Sequence, residues 1–402
     1  MIKLGVIADD LTGAMDTGVQ FAKQGLHTLV LLSDQEQPSA EVVALSTDSR
    51  DEPAGEAYRR ARQAAKRLRG RFIYKKIDSN LRGNIGPELE GVLDELGWQR
   101  ALVAPAFPAA GRTTVDGYHR VDGVLLSEGA FAHDPLWPAT ESHLPTVLSR
   151  QTRRSVGYLP LSMIEKGEQT VIRALMNEPA AIVAADAAEQ RHLHMLARAL
   201  ARMAEQWLPC GSAGWAEEWP QALGWARPGF ASFHWRPDFR PVLVVAGSRH
   251  PATLRQLQCA ASGNNVHLIH WPAEEDWATK VQAEVIPWLN RGHHVALTTA
   301  FSEYQSGKEK ATAEALAQAA VKAGALSSLA GFVVTGGDIA RALCRALGAK
   351  ALQIHGEVEA GVPAGTLVGG LADGLRIVTK AGAFGDETAI LRCIECIQGR
   401  LP

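Results

Sequence analysis

The chain has 402 residues, 46% of them hydrophobic and 21% charged, with a net charge of −2. That length exceeds what one ordinary core serves, so two domains are expected. The near-neutral charge gives no basis for holding nucleic acid or a membrane surface by bulk electrostatics.

Short β-type runs alternate with alanine-rich helical stretches, the signature of an α/β fold. Strands are expected at Leu4–Ala8, Thr28–Leu32, Val42–Thr47, Phe72–Lys76, Ala101–Ala104 and Ala181–Ala184, with helices between them such as Ala54–Leu68 and Gly86–Leu96. The stretch 225–241 is rich in proline and aromatics and has no period, so the domain junction is placed there. The pattern then restarts, with strands expected at Pro241–Ala246, His267–His270, His293–Thr298, Gly331–Thr335 and Leu367–Gly370. The expected architecture is two α/β domains with largely parallel sheets, residues 1–230 and 241–402.

No apolar run approaches the roughly 20 residues of a membrane span. The first apolar run is short and closed by acids rather than by a cleavage site. The five cysteines are scattered and odd in number, which predicts reduced thiols in a cytoplasmic protein. Cys393-Ile-Glu-Cys396 is a lone CxxC in a helical run, with no second ligand pair to complete a tetrahedral site. Trp215 and Trp219, four residues apart, suit one helix face and read as packing.

In an open parallel sheet, ligands sit beyond the carboxyl ends of the strands. Here Ala8 is followed by Asp9-Asp10, Thr47 by Asp48-Ser49-Arg50, Lys76 by Ile77-Asp78-Ser79-Asn80-Leu81-Arg82-Gly83-Asn84, and Ala104 by a loop reaching Arg112. Each alone reads as an ordinary turn. If the strands are parallel, the ends converge, and three arginines with Lys75 and Lys76 suit an anionic ligand. A small hydroxy acid fits the mixture, with arginines on the carboxylate and Asp or Asn on the hydroxyls. Asp10 could accept a hydroxyl proton or help hold a metal ion.

The second half uses glycine instead. Gly247-Ser248-Arg249-His250, Gly336-Gly337-Asp338 and Gly382-Ala383-Phe384-Gly385 each precede a helix. Glycine lets backbone approach a phosphate, and a helix start offers unpaired N–H groups. Neither GxxxxGK[ST] nor GxGxxG occurs, so a Walker-type or dinucleotide fold is not indicated.

Together the stretches IADDLTGA (7–14), TDSR (47–50), KKIDSNLRGNIGPEL (75–89), APAFPAAGR (104–112), HDPLWP (133–138), VVAGSRHPATLRQL (244–257), VTGGDIA (334–340) and VTKAGAFGDETA (378–389) resemble the four-carbon acid sugar kinase family, across essentially the whole chain. The resemblance implies an N-terminal substrate domain and a C-terminal ATP-binding domain with the active site in the interdomain cleft. It implies transfer of the ATP γ-phosphoryl group, with Mg²⁺, to the terminal hydroxyl of threonate, erythronate or 3-oxo-tetronate. Asp9, Asp10, Arg50, Asp78, Arg82 and Asn84 would line the substrate site, and Ser248, Gly336, Gly337, Asp338 and Gly382 the nucleotide site. Asp10 is expected to orient or deprotonate the hydroxyl, with Asp9 bracing the loop or the neighbouring basic residues, and Asp338 is the rival base unless it caps its helix. D-threonate is the expected substrate and a homodimer the expected assembly. Two departures from the family pattern fall on the ATP loops: Arg249-His250 stands where a small residue and a serine are usual, and Gly382-Ala383 where Gly-Gly is usual.

Two rivals are weaker. A phosphatase needs carboxylates at i and i+2 reaching one metal, whereas Asp9 and Asp10 are adjacent and an extended strand would point them apart. A two-lobed sensor would bind anions but has no need of three glycine-bearing loops.

Overall fold

Strand Leu4–Ala8 (β1) is buried at every position. Such unbroken apolar strands, without alternation, belong to a sheet covered by helices on both faces. The computed structural model describes residues 3–32, 39–134, 136–203, 207–227, 233–263, 266–270, 280–301, 307–323 and 328–401. It divides into two units, Met1–Thr28 with Pro38–Phe230, and Leu29–Gln37 with Ala231–Pro402.

Strands β2 (Thr28–Leu31), β3 (Val42–Ser46), β4 (Phe72–Lys76) and β5 (Arg100–Ala104) follow β1 along the chain. Next come β6 (Arg112–Val115), β7 (Tyr118–Val121), β8 (Val124–Leu125), β9 (Val156–Leu159), β10 (Ile182–Ala185) and β11 (Trp207–Gly211). In the first unit the strand order is β3-β1-β4-β11-β5-β10-β9, and every pairing is parallel. The carboxyl ends of β1, β3, β4 and β5 therefore share one edge, as the sequence led us to expect. Helix α1 (Leu11–Ala22) follows β1, α2 (Ala54–Arg67) follows β3, and α3 (Ile85–Leu96) follows β4. Neighbouring side chains on a strand point to opposite faces, so Lys75 and Lys76 at the end of β4 part company, Lys75 toward α3 and Lys76 toward α1.

Strands β6, β7 and β8 form a separate antiparallel sheet. Its two turns carry Asp116-Gly117 and Asp122-Gly123, all four at positive φ. That is the type I′ turn Asp-Gly pairs prefer, and the sequence reading passed over both.

In the second unit, β12 (Val242–Ala246), β13 (Val266–His270), β14 (His294–Thr298), β15 (Gly331–Thr335), β16 (Ala351–Glu357), β17 (Pro363–Val368) and β18 (Arg376–Lys380) stand in the order β13-β14-β12-β15-β18-β17-β16-β2. The first five are parallel; β17 pairs antiparallel with both β18 and β16. The early segment Leu29–Gln37 thus belongs to this unit although it precedes most of the first.

Trp215 and Trp219 do not share a helix. They sit on two short ones, Ala213–Ala216 and Trp219–Ala222, yet their rings lie 5.5 Å apart and both are fully buried beside Tyr74. Cys393 and Cys396 lie buried on the helix Ala389–Ile397; burial pushes both thiols up, that of Cys396 to about 12, so they pack as neutral groups. All five cysteines are free. Among the described residues no helix is long and apolar enough to cross a membrane. Removing the Trp215 ring leaves a large cavity, so Trp215→Ala should lose about 3–5 kcal/mol in denaturant unfolding.

Candidate active site

One guanidinium organises the edge of the first unit. Arg50 donates from Nε to Asp9 Oδ2 at 2.7 Å and from Nη1 to Asp10 Oδ2 at 2.8 Å. The adjacent aspartates point together because Asp10, still extended at φ −141° and ψ 166°, is the N-cap of α1, and its Oδ1 accepts from Gly13 N at 2.7 Å. Asp10 thus braces the start of α1, while Asp9 braces Arg50, a neighbouring basic residue. Of the two, Asp9 has the spare atom: among the described residues its buried Oδ1 has no hydrogen-bond partner.

The two carboxyls are pushed apart electrostatically. Burial, aided by the neighbouring Asp9 charge, raises Asp10 despite Arg50. Burial acts on Asp9 too, but Arg50, Lys75 and Lys76 together outweigh it and hold Asp9 below the usual carboxylate range. Two acids of unlike basicity side by side are what acid–base chemistry requires.

The surrounding residues hold Arg50 in place. Asn84 Nδ2 donates to the carbonyls of Ser49, Arg50 and Glu52 at 3.0, 3.1 and 2.8 Å. Asn84 therefore braces the arginine's loop. Gly83, at φ +89°, lies against Arg50; a side chain there would begin 3.2 Å from Arg50 Cγ and 3.5 Å from Asp9 Oδ2. Beneath, Lys75 Nζ pairs with Glu88 at 2.7 Å with both side chains sealed from solvent, and Ser49 Oγ donates to the same carboxylate at 2.7 Å. Asp78 accepts from Arg82 Nε at 2.6 Å and is held well below its ordinary value by Arg82 and Arg50, although burial opposes this. Arg82 also approaches Asp134 at 3.6 Å, and Arg112 Nε reaches Asn80 Oδ1 at 3.4 Å. Asp9, Asp10, Arg50, Asp78, Arg82 and Asn84 thus form one network in this unit. Lys76, noted in the sequence only as added charge, belongs to it as well; the strand's alternation was the available signal. The HDPLWP stretch is described except for Pro135.

The second unit brings its three glycine loops together. Gly382 packs so closely on Ser248 that a side chain there would collide with Ser248 Oγ, and Gly336, at φ +101°, lies near Ser248 N. Thr253 Oγ1 donates to Gly382 O at 3.0 Å, and Gln256 Nε2 to Phe384 O and Gly385 O at 3.0 Å each. The buried Lys380 spends its ammonium on three carbonyls of the same loop, Ala381 at 2.9 Å, Gly382 at 3.3 Å and Phe384 at 3.0 Å. With those carbonyls drawn to one cation, the loop's shape depends on Lys380, the lysine of the VTKAGAFGDETA stretch. His250 is explained as well: its Nδ1 accepts from Ala252 N at 3.2 Å, capping the helix Pro251–Ser262, and burial with the nearby Lys380 lowers its basicity. Asp338 is not the cap of its helix. Gly336 holds that position, while Asp338 is 57% exposed in the first turn with Arg341 3.8 Å away. Among the described residues no group of three or more His, Cys, Asp or Glu could hold a metal ion.

Burial pushes Lys380 down to about 8. Its ordinary value is 10.5, so between these pH values the unfolded chain binds more protons and this group's contribution to stability rises with pH. Its hold on the loop does the opposite, fading as pH passes about 8. With this loop in the nucleotide site that the resemblance implies, nucleotide affinity, measured calorimetrically, should fall across that pH, and Lys380→Met should bind more weakly at pH 7 and lose the dependence. Separately, Lys75→Met should cost about 3–5 kcal/mol by stranding the Glu88 charge, and Lys75→Met with Glu88→Leu should recover most of it.

A sugar-binding N-terminal domain matches residues 4–219, and a nucleotide-binding C-terminal domain matches residues 243–390. The chain is 33% identical to a D-threonate kinase of Salmonella typhimurium, over 99% of each chain. It is 31% identical to a D-erythronate kinase of Heliobacterium modesticaldum, over 98% of this chain and 97% of that one. A 3-oxo-tetronate kinase of Brucella melitensis is 28% identical, over 96% and 94%. Among solved structures, a Salmonella typhimurium protein superposes with a TM-score of 0.81 at 25% identity, covering 98% of this chain and 99% of that one. A Bordetella bronchiseptica protein, crystallised as a domain-swapped dimer with bound citrate, gives 0.50 at 32% identity over 99% of each. Both family domains in order, with full-length identity above 30% to named kinases, make this chain an enzyme of the four-carbon acid sugar kinase family.

Proposed function

We propose that this enzyme transfers the γ-phosphoryl group of ATP to the C4 hydroxyl of D-threonate. The observation that carries the reading is the Arg50–Asp9–Asp10 cluster beside Arg82, cations and hydroxyl acceptors buried at one strand edge of the sugar-binding unit. D-threonate is preferred over D-erythronate and 3-oxo-tetronate because a second D-threonate kinase, from Bordetella bronchiseptica, is also 33% identical over 99% of this chain. The citrate held by a related protein supports carboxylate recognition, and that protein's dimer supports a homodimer here. Free cysteines throughout and dependence on ATP favour the cytoplasm.

In this mechanism Arg50 and Arg82 take the substrate carboxylate, leaving the far hydroxyl exposed. Asp10, raised in basicity and more exposed than Asp9, accepts the hydroxyl proton. Ser248, Gly336, Gly337 and Gly382 surround the nucleotide phosphates with backbone N–H groups. Mg²⁺ arriving with ATP would supply charge neutralisation. Asp338, exposed and only loosely paired, is the residue that would meet it.

A coupled ADP-release screen over the isomers of threonate, erythronate and 3-oxo-tetronate tests the assignment. D-threonate should give the highest kcat/KM, and a clear preference for another acid would reassign the substrate within the family. Asn is as good an N-cap as Asp but has one acceptor oxygen for the two donors Gly13 N and Arg50 Nη1, so Asp10→Asn should keep the fold, weaken the acid's affinity somewhat and lower kcat about 10²–10⁴-fold. Full kcat in that variant would remove Asp10 as the base.

A further inference from the structure

Among the described residues, two polar atoms at the floor of the first unit's site make no hydrogen bond. Asp9 is 3% exposed and its Oδ1 bonds to nothing. Lys76 is 4% exposed, and among the described residues its ammonium makes no hydrogen bond and no close ion pair, acting on Asp9, Asp10 and Asp78 only through space. Buried polar groups are nearly always satisfied, and the buried Asp9 Oδ1 is an exception that calls for a reason.

Both atoms face the same small space. From the point where a side chain at Gly13 would begin, Lys76 Nζ is 3.2 Å away and Asp9 Oδ1 3.7 Å. Glycine keeps that space open, and an alanine there would also press on Asp10 Oδ1 at 2.6 Å. Charge selects the occupant. A carboxylate or phosphate oxygen drawn to Lys76 would meet the Asp9 charge, and a cation drawn to Asp9 would meet Lys76. A neutral hydroxyl satisfies both, its oxygen accepting from the ammonium and its proton going to the carboxylate.

We propose that Asp9 Oδ1 and Lys76 Nζ form the subsite that reads one non-transferred hydroxyl, at C2 or C3, of the sugar acid. The inference rests on the sugar-acid reading above and adds Lys76 as a specificity residue. Depth argues against the transferred hydroxyl, which must meet a phosphoryl donor arriving from outside, whereas Asp9 is 3% and Lys76 4% exposed. Asp9, held ionised, is a strong acceptor but a poor base.

The experiment compares the best substrate from the screen with its counterparts lacking the C2 or the C3 hydroxyl, both of which keep C4. A site built around a hydroxyl rejects the analogue without it severely. One deoxy acid should therefore lose about 100-fold or more in kcat/KM with the wild-type enzyme. In Lys76→Gln and Asp9→Asn that discrimination should shrink to about tenfold or less, because the parent acid loses what the deoxy acid never had. Wild-type enzyme that handles both deoxy acids within about threefold of the parent overturns the proposal, whatever the variants do, since water alone would then fill the space. Undiminished discrimination in Lys76→Gln overturns it too. Calorimetric titration of the same acids reads the coupling without turnover, so an inactive wild type would refute the kinase reading and still leave this subsite decided.

Discussion

The first unit depends on Arg50 being shared by two adjacent carboxylates. Asp9 and Asp10 follow a fully buried strand, and two uncompensated charges there would be severely unfavourable. A single guanidinium, bonded through Nε to one and Nη1 to the other, makes the arrangement tenable. It also fixes where the next residues go. With Oδ2 of Asp10 committed to Arg50, Oδ1 is free to cap α1 at Gly13, so the helix begins where the charge pair ends. The position of Arg50 is in turn secured by Asn84, Gly83 and the Ser49–Glu88–Lys75 chain. Residues from three strand ends thus hold one side chain, and a parallel sheet is what brings those ends together.

The second unit meets a different demand by a related device. Its ligand loops carry few charged side chains, and their shape is set by backbone contacts: Gly382 against Ser248, and Thr253 and Gln256 on the carbonyls of the Gly382–Gly385 loop. Lys380 is the central cation here, as Arg50 is in the first unit, but it acts on carbonyls rather than carboxylates. A cation that gathers carbonyls leaves N–H groups to face elsewhere, the requirement for a backbone phosphate site.

Much of this was legible because buried parallel strands are short, apolar and punctuated. β1, β4 and β15 fall where the sequence put them, and the polar residues after each strand marked the ligand edge. What escaped depended on contacts distant in sequence. β11 hides behind its tryptophan and proline, and β18, buried from Ile377 to Lys380, shows no alternation, whereas β16 alternates along Leu352–Glu357 and was readable. The two Asp-Gly hairpin turns were readable and were overlooked. Asp338 looked like a cap because acids favour helix starts, but the positive φ at Gly336 moves the cap two residues earlier. The roles of Asp9 and Asp10 could not be separated from sequence, because the division turns on which oxygen Gly13 N selects.

That division matters for how the enzyme tells one small acid from another. Four-carbon acids offer a carboxylate and hydroxyls, and arginines recognise the carboxylate of every one of them equally well. Selectivity has to come from groups that demand a hydroxyl at a given place, and a buried donor facing a buried acceptor is the strictest such demand, since any other group leaves one of them unsatisfied. β4 supplies both halves of the network from adjacent residues: Lys75, turned toward α3, is committed to Glu88 and the Lys76 carbonyl, whereas Lys76, turned toward α1, makes no hydrogen bond or close ion pair among the described residues. A strand's alternation thereby separates a lysine that serves the fold from one available to a ligand.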